Sequence, residues 1–170
     1  MIALANAFDN GYITKIRVLT RSIDVVEENQ TRRKIFRHIL EHGFGIFNEI
    51  WRDIGCSKAN ISWHLEKLKA CGIVVEMRVM KYKVFYIKGF EVQALRRFIC
   101  EKKVSGGYRW ERVRRVLYDL CYVDDAATVA SRYGLRVEEV ESLRNLLRAS
   151  CEGLRGARCV EFLARLGTSC

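Results

Sequence analysis

Apolar residues recur at helical spacing over most of the chain, and the interruptions fall at glycines. Asn29 or Thr31 offers a helix cap, after which Ile35, Phe36, Ile39 and Leu40 repeat until Gly43, a stripe and stop that predict a helix. A second helix is expected over about 47–54, ending at Gly55, and a third, capped by Ser57, runs to Cys71 before Gly72. In the third, Ile61, Leu65 and Leu68 stand at i, i+4 and i+7, one face of a helix. About three residues separate the second and third helices, the spacing of a helix-turn-helix. The period then changes. Residues 73–79 alternate with Ile73, Val75, Met77 and Val79 on one face, and 84–87 with Phe85 and Ile87 on one face, which predicts a hairpin or wing whose turn lacks Gly, Asn and Asp.

Helical spacing returns over 90–104 through Val92, Leu95, Phe98 and Ile99, and Ser105-Gly106-Gly107 reads as a linker. Beyond it, helices are expected at about 108–122, 125–133, 137–151 and 157–166, with glycines at 134, 153, 156 and 167 as stops. Ala130, Gly134 and a following helix with Val137, Val140 and Leu143 echo a helix-turn-helix. Before the first helix, residues 11–26 carry Ile13, Thr14, Ile16, Val18 and Ile23, a β-branched run that reads as a strand or extended arm. The expected fold class is mainly α: an N-terminal arm over 1–28, a winged helix-turn-helix with a two-stranded wing and trailing helix over 29–104, and a small helical bundle over 108–170.

Composition narrows the function classes. With 49% hydrophobic residues, 29% charged residues and no proline, the chain is expected to be ordered, with helices joined by short turns. Its longest stretch without Asp, Glu, Lys or Arg is the eight residues 1–8, far short of the about 20 apolar residues of a membrane span. No secretory signal is visible, so a soluble cytoplasmic protein is expected. The net charge of +10 is concentrated: residues 31–104 carry +9, against −1 before them and +2 after. A positive field of this kind attracts polyanions, chiefly nucleic acid or an anionic membrane surface. The seven cysteines form no C-x-x-C pair, so no zinc-finger spacing exists. Most read as buried small hydrophobes. Twenty arginines and only two glutamines suit an archaeal or viral source, including hyperthermophiles, where intracellular disulfides occur.

Candidate chemistry gathers on the third helix. With Ile61, Leu65 and Leu68 turned inward, Ser57, Lys58, Ala59, Asn60, Ser62, Trp63, Glu66 and Lys67 are the outward candidates. Asn pairs with adenine edges, Ser with base or phosphate, and Lys58 reaches phosphate or guanine. Trp63 either meets thymine methyls, sugars or a partner surface, or packs against the wing or first helix. Arg78, Lys81, Tyr82 and Lys83 at the hairpin suit the backbone or a minor groove, or a charged hairpin edge. Arg32 and Arg33, with Lys34 and Arg37, would add phosphate contacts or form a solvent face. His38 and His42 stand at i, i+4 without a third ligand visible, and read as a surface pair. No metal, cofactor or catalytic constellation is expected, hence no enzyme.

Thr31-Arg32 with Ile35-Phe36, Glu49-Ile50 through Gly55, Ser57, Ile61-Ser62, His64-Leu65, Leu68, Gly72-Ile73-Val74 and Tyr86 together resemble the ArsR-like winged helix-turn-helix regulators over about 29–104. The resemblance implies a sequence-specific, double-stranded-DNA-binding transcription regulator, nucleoid-associated and working as a homodimer. Two departures stand out. Trp51 replaces a small residue between the two helices, and residues 47–54 lack the cysteines of the metal-sensing members, so sensing of that type is not implied. Winged helices also serve as protein-interaction modules of the transcription or replication machinery, and a basic one can coat DNA without regard to sequence. The helix opening with Glu138, Glu139 and Glu141 would repel phosphate, so the C-terminal part is expected to pack on itself or pair subunits.

Overall fold

Asn29 turns the chain from one helix into the next. Its extended backbone (φ −137°, ψ 127°) ends α1, Thr20–Glu27, and its side-chain oxygen accepts from the amides of Thr31 and Arg32 at the start of α2, Gln30–His42. The computed structural model describes residues 20–100, 110–168 and 170. The described residues divide into two compact units, one within 1–77 and 82–90 and the other within 78–81 and 91–170.

In the first unit, α2 is followed by β1, Gly45–Ile46, then α3, Phe47–Ile54, and α4, Lys58–Ala70. The hairpin β2, Val74–Val79, and β3, Tyr82–Ile87, comes after, its residues 78–81 being grouped with the second unit. Val26, Ile35, Phe36, Ile39, Ile50, Ile61, Leu65, Leu68, Ile73, Phe85 and Phe90 form a continuous buried core. Trp51 and Phe47 pack partly buried against it. The expected strand or arm over 11–26 is corrected where it can be seen. Residues 20–26 are helical, while 1–19 lie outside the described residues. The β-branched composition is overridden by packing, since α1 lies against α2 and Val26 enters the shared core.

The expected two-stranded hairpin is present and is joined by β1 in a three-stranded antiparallel sheet of order β1-β3-β2, with Gly45 opposite Phe85 and Ile46 opposite Val84. As the central strand, β3 buries Val84 and Tyr86 as well as the expected Phe85 and Ile87. Gly45 is dictated by proximity: a Cβ there would stand 2.7 Å from Cδ1 of Ile50 and 3.1 Å from Cγ1 of Ile39. At the hairpin tip only Met80 and Lys81 separate the strands, and Met80 takes φ 61°. A tight hairpin turn asks for this conformation, and glycine would adopt it without the side-chain clash.

In the second unit α5, Glu91–Cys100, groups with α6, Glu111–Tyr122, α7, Ala126–Tyr133, α8, Val137–Ser150, and α9, Gly156–Thr168. The trailing helix, expected to close the winged domain, is therefore a member of the helical group. The Ser105-Gly106-Gly107 linker lies outside the described residues. Asp125 caps α7 by accepting from the amides of Ala127 and Thr128, and Phe98 meets the edge of Trp110 at 5.2 Å between centroids. Disulfides join Cys100 to Cys170 and Cys121 to Cys159, whereas Cys56, Cys71 and Cys151 are in no disulfide. No helix among the described residues is long and apolar enough to cross a membrane.

Candidate nucleic-acid interface

Two local devices aim α4. Gly55 adopts a left-handed conformation (φ 76°, ψ 13°) and donates its amide to the Trp51 carbonyl, closing α3. Ser57 then caps α4, its hydroxyl oxygen 3.1 Å from the Asn60 amide that donates to it. Residues 55–57 are the whole connection, so the second helix must leave the first at a fixed angle. Ile61, His64, Leu65 and Leu68 face the core.

The opposite face presents Lys58, Ala59, Asn60, Ser62, Trp63 and Glu66 to solvent, with Lys67 half-buried at its margin. Trp63 is 55% exposed, which decides between the two readings of this residue: its indole is on the surface. The Lys67 ammonium lies 5.3 Å from its ring centroid, and the His64 ring meets its edge at 4.8 Å. Trp51, which packs partly into the core, carries the Lys58 ammonium over its ring at 4.4 Å. Lys69 serves another purpose. It donates to Glu76 at 2.5 Å and to Glu66 at 3.1 Å, and these hydrogen bonds, Glu76 first, hold its ammonium above the ordinary lysine range.

Elsewhere the predicted cations divide. Arg78, Lys81 and Lys83 are exposed at the hairpin and Tyr82 is half-buried. Arg33, Lys34 and Arg37 are exposed on α2, with Arg33 3.9 Å from Glu27. Arg32 is a correction. It is 5% exposed and its guanidinium donates to the Val25 carbonyl at 2.6 Å, where it satisfies an acceptor that the last turn of α1 leaves open. It therefore has no path to phosphate. In the second unit, Gly134 (φ 62°) separates α7 from α8, and Glu138 and Glu141 are exposed while Glu139 turns back to cap α8 with Arg136.

His64 is buried beneath this face, and burial first, then the charges of Arg32 and Lys67, pushes its imidazole below the usual histidine range. The folded state thus favours its neutral form, while the unfolded chain takes up a proton near the ordinary value of about 6.5. Its contribution to stability is full above that value and is lost as pH falls from it through the lower folded value. Urea titrations of wild type and His64→Gln across this range should show a steeper loss for the wild type. Parallel curves would exclude His64 as the source.

Comparison of the chain with known protein families, with curated proteins and with solved structures finds no match. The interface therefore rests on its own geometry. Sequence reasoning overlooked the role of Trp51 as a platform for Lys58, although its place on α3 four residues before Gly55 was a usable signal. It also overlooked Asp53, which α3 brings beside His38 across a distance in sequence that leaves no local pattern.

Proposed function

We propose that the first unit is a winged helix-turn-helix of the ArsR-like type and that the chain is a sequence-specific, double-stranded-DNA-binding transcription regulator acting as a homodimer. The observation that carries this reading is the outward face of α4: a solvent-facing Trp63 with lysines at 58 and 67 and polar side chains at 60 and 62, on a helix set by a three-residue turn. In such a reading α4 enters the major groove, Asn60 and Ser62 supply base-edge hydrogen bonds, and Trp63 meets thymine methyls or sugars. Lys81 and Lys83 at the hairpin supply phosphate contacts, which position without reading sequence. A homodimer follows from the shortness of one such face, because a two-fold pair reads a palindrome.

A genomic footprint supplies the preferred site: discrete palindromic peaks support the regulator, and uniform coverage favours the coating protein. Titrations on that duplex and on random duplex then separate reading from holding. Asn60→Ala or Ser62→Ala should cost about 1–3 kcal/mol on the preferred duplex and almost nothing on random DNA, while Lys81→Ala with Lys83→Ala should weaken both alike. The salt dependence counts the phosphates. A dimer touching about eight should give a slope of log affinity against log salt of about −7, a monomer touching about four a slope near −4. A slope near zero would remove DNA as the partner and leave Trp63 as an anchor for a protein surface, the role exposed tryptophans play at interface centres.

A further inference from the structure

We propose that His38, His42 and Asp53 form a binding site for a divalent transition-metal ion of the zinc class. The two histidines lie one turn apart on α2 with their rings stacked, centroids 4.3 Å apart at 25°. From the last turn of α3, Asp53 completes the group: one nitrogen of each ring and one carboxylate oxygen all lie within 4.8 Å of one another. Tetrahedral zinc, with bonds of about 2.0–2.1 Å, spaces its ligand atoms about 3.3 Å apart. The three donors are thus within about 1.5 Å of a coordinating arrangement.

Donor chemistry selects the ion. Two imidazoles and one carboxylate suit zinc, cobalt(II) and nickel(II), whereas calcium and magnesium take sets made of oxygen. The group is also held in place. His38 is 7% exposed, and its Nδ1 lies 2.8 Å from Oδ2 of Asp53. Nδ1 of His42 lies 2.7 Å from the His38 carbonyl oxygen, which can only accept, so this nitrogen carries the proton and Nε2 carries the lone pair. Metal-bound histidines are commonly fixed by such a second hydrogen bond. A simple histidine–aspartate hydrogen bond accounts for His38 and Asp53 but gives no role to His42, whose ring is nonetheless fixed against its neighbour. His42 and Asp53 are exposed, so an ion enters from solvent, and three protein ligands leave a further position for water. On binding, the ion takes the Nδ1 position facing Asp53 and the ring's single proton passes to Nε2, so that His38 ligates as a neutral imidazole with no net proton released. It ties the end of α2 to the end of α3, two residues before Gly55 and the turn into α4.

The test uses the full chain with its disulfides intact and no thiol reductant, titrated with cobalt(II) for its visible d–d bands and with zinc by calorimetry. One saturable ion per chain is expected, with a rise in melting temperature on adding zinc. His42→Ala and Asp53→Asn should each weaken binding by about tenfold or more and abolish that rise, while melting like the wild type in EDTA. Should Asp53→Asn melt early in EDTA, the His42→Ala result decides, since its exposed ring leaves the core intact. Absence of saturable binding overturns the site. So does equal affinity in wild type and both variants, which would assign the ion to Cys56, Cys71 or Cys151; charge-transfer bands from cobalt–thiolate bonds would report that outcome directly.

Discussion

Reduction of the purified chain should raise its free thiols from three to seven and loosen the second unit selectively. Cys121 and Cys159 join α6 to α9 across 38 residues, and Cys100 and Cys170 are linked across 70. On the chain-entropy account, each bridge restrains the unfolded chain by about 4 kcal/mol. Single domains hold only about 5–15 kcal/mol in all, so losing one bridge is a large fraction of the total. The first unit has no bridge among its described residues and should keep its stability. Hydrogen exchange with and without reductant makes the comparison within one sample: amides of α6 and α9 should lose protection while those of α2 and α4 keep theirs. Cys159→Ala should reproduce part of the effect without reductant. Seven reactive thiols before reduction, or unchanged protection in α9 after it, would contradict the pairing.

Trp63→Ala should lower DNA affinity by about 1–3 kcal/mol, the range for loss of a base-contacting or stacking aromatic, and leave the melting temperature within about 4 °C of wild type, because exposed substitutions change stability by about 0.5 kcal/mol or less. Trp51→Ala should do the reverse in stability. Its ring packs against the core under Lys58, so truncation opens a gap against the buried core and lowers the melting temperature by several degrees. The pair of melts and the pair of duplex titrations distinguish an indole used for contact from one used for packing. If Trp63→Ala binds DNA as the wild type does, the outward face of α4 is not what meets the duplex.

The helices of the first unit were legible because their ends are chemically marked. Asn29, Gly43, Gly55, Ser57 and Gly72 each sit where the backbone needs a cap or a positive φ, and the apolar residues between them keep one period. Strand β1 was not legible: two residues are too short to show alternation, and their pairing with Val84 and Phe85 is set by a distant segment. Nor was α1, where β-branched residues suggest extension and only the docking of Val26 decides otherwise. Arg32 is instructive in another way. It stands three, four and seven residues before Ile35, Phe36 and Ile39, on their stripe, so the period placed it inward while its charge suggested solvent. His64, between Ile61 and Leu68, follows the same rule. At such positions the helical period was the better guide. Of the candidate DNA face, the outward residues of α4 could be read from the wheel, whereas the cysteine pairing could not, since spacing alone does not choose among connectivities.

The two bridges of the second unit are nested, 121–159 lying within 100–170. A single peptide-bond cleavage anywhere between Cys100 and Cys170 therefore leaves the pieces covalently attached, and one between Cys121 and Cys159 is spanned twice. A protease that nicks this region releases no fragment until the bridges are reduced, so damage to the chain and loss of its C-terminal helix become separate events.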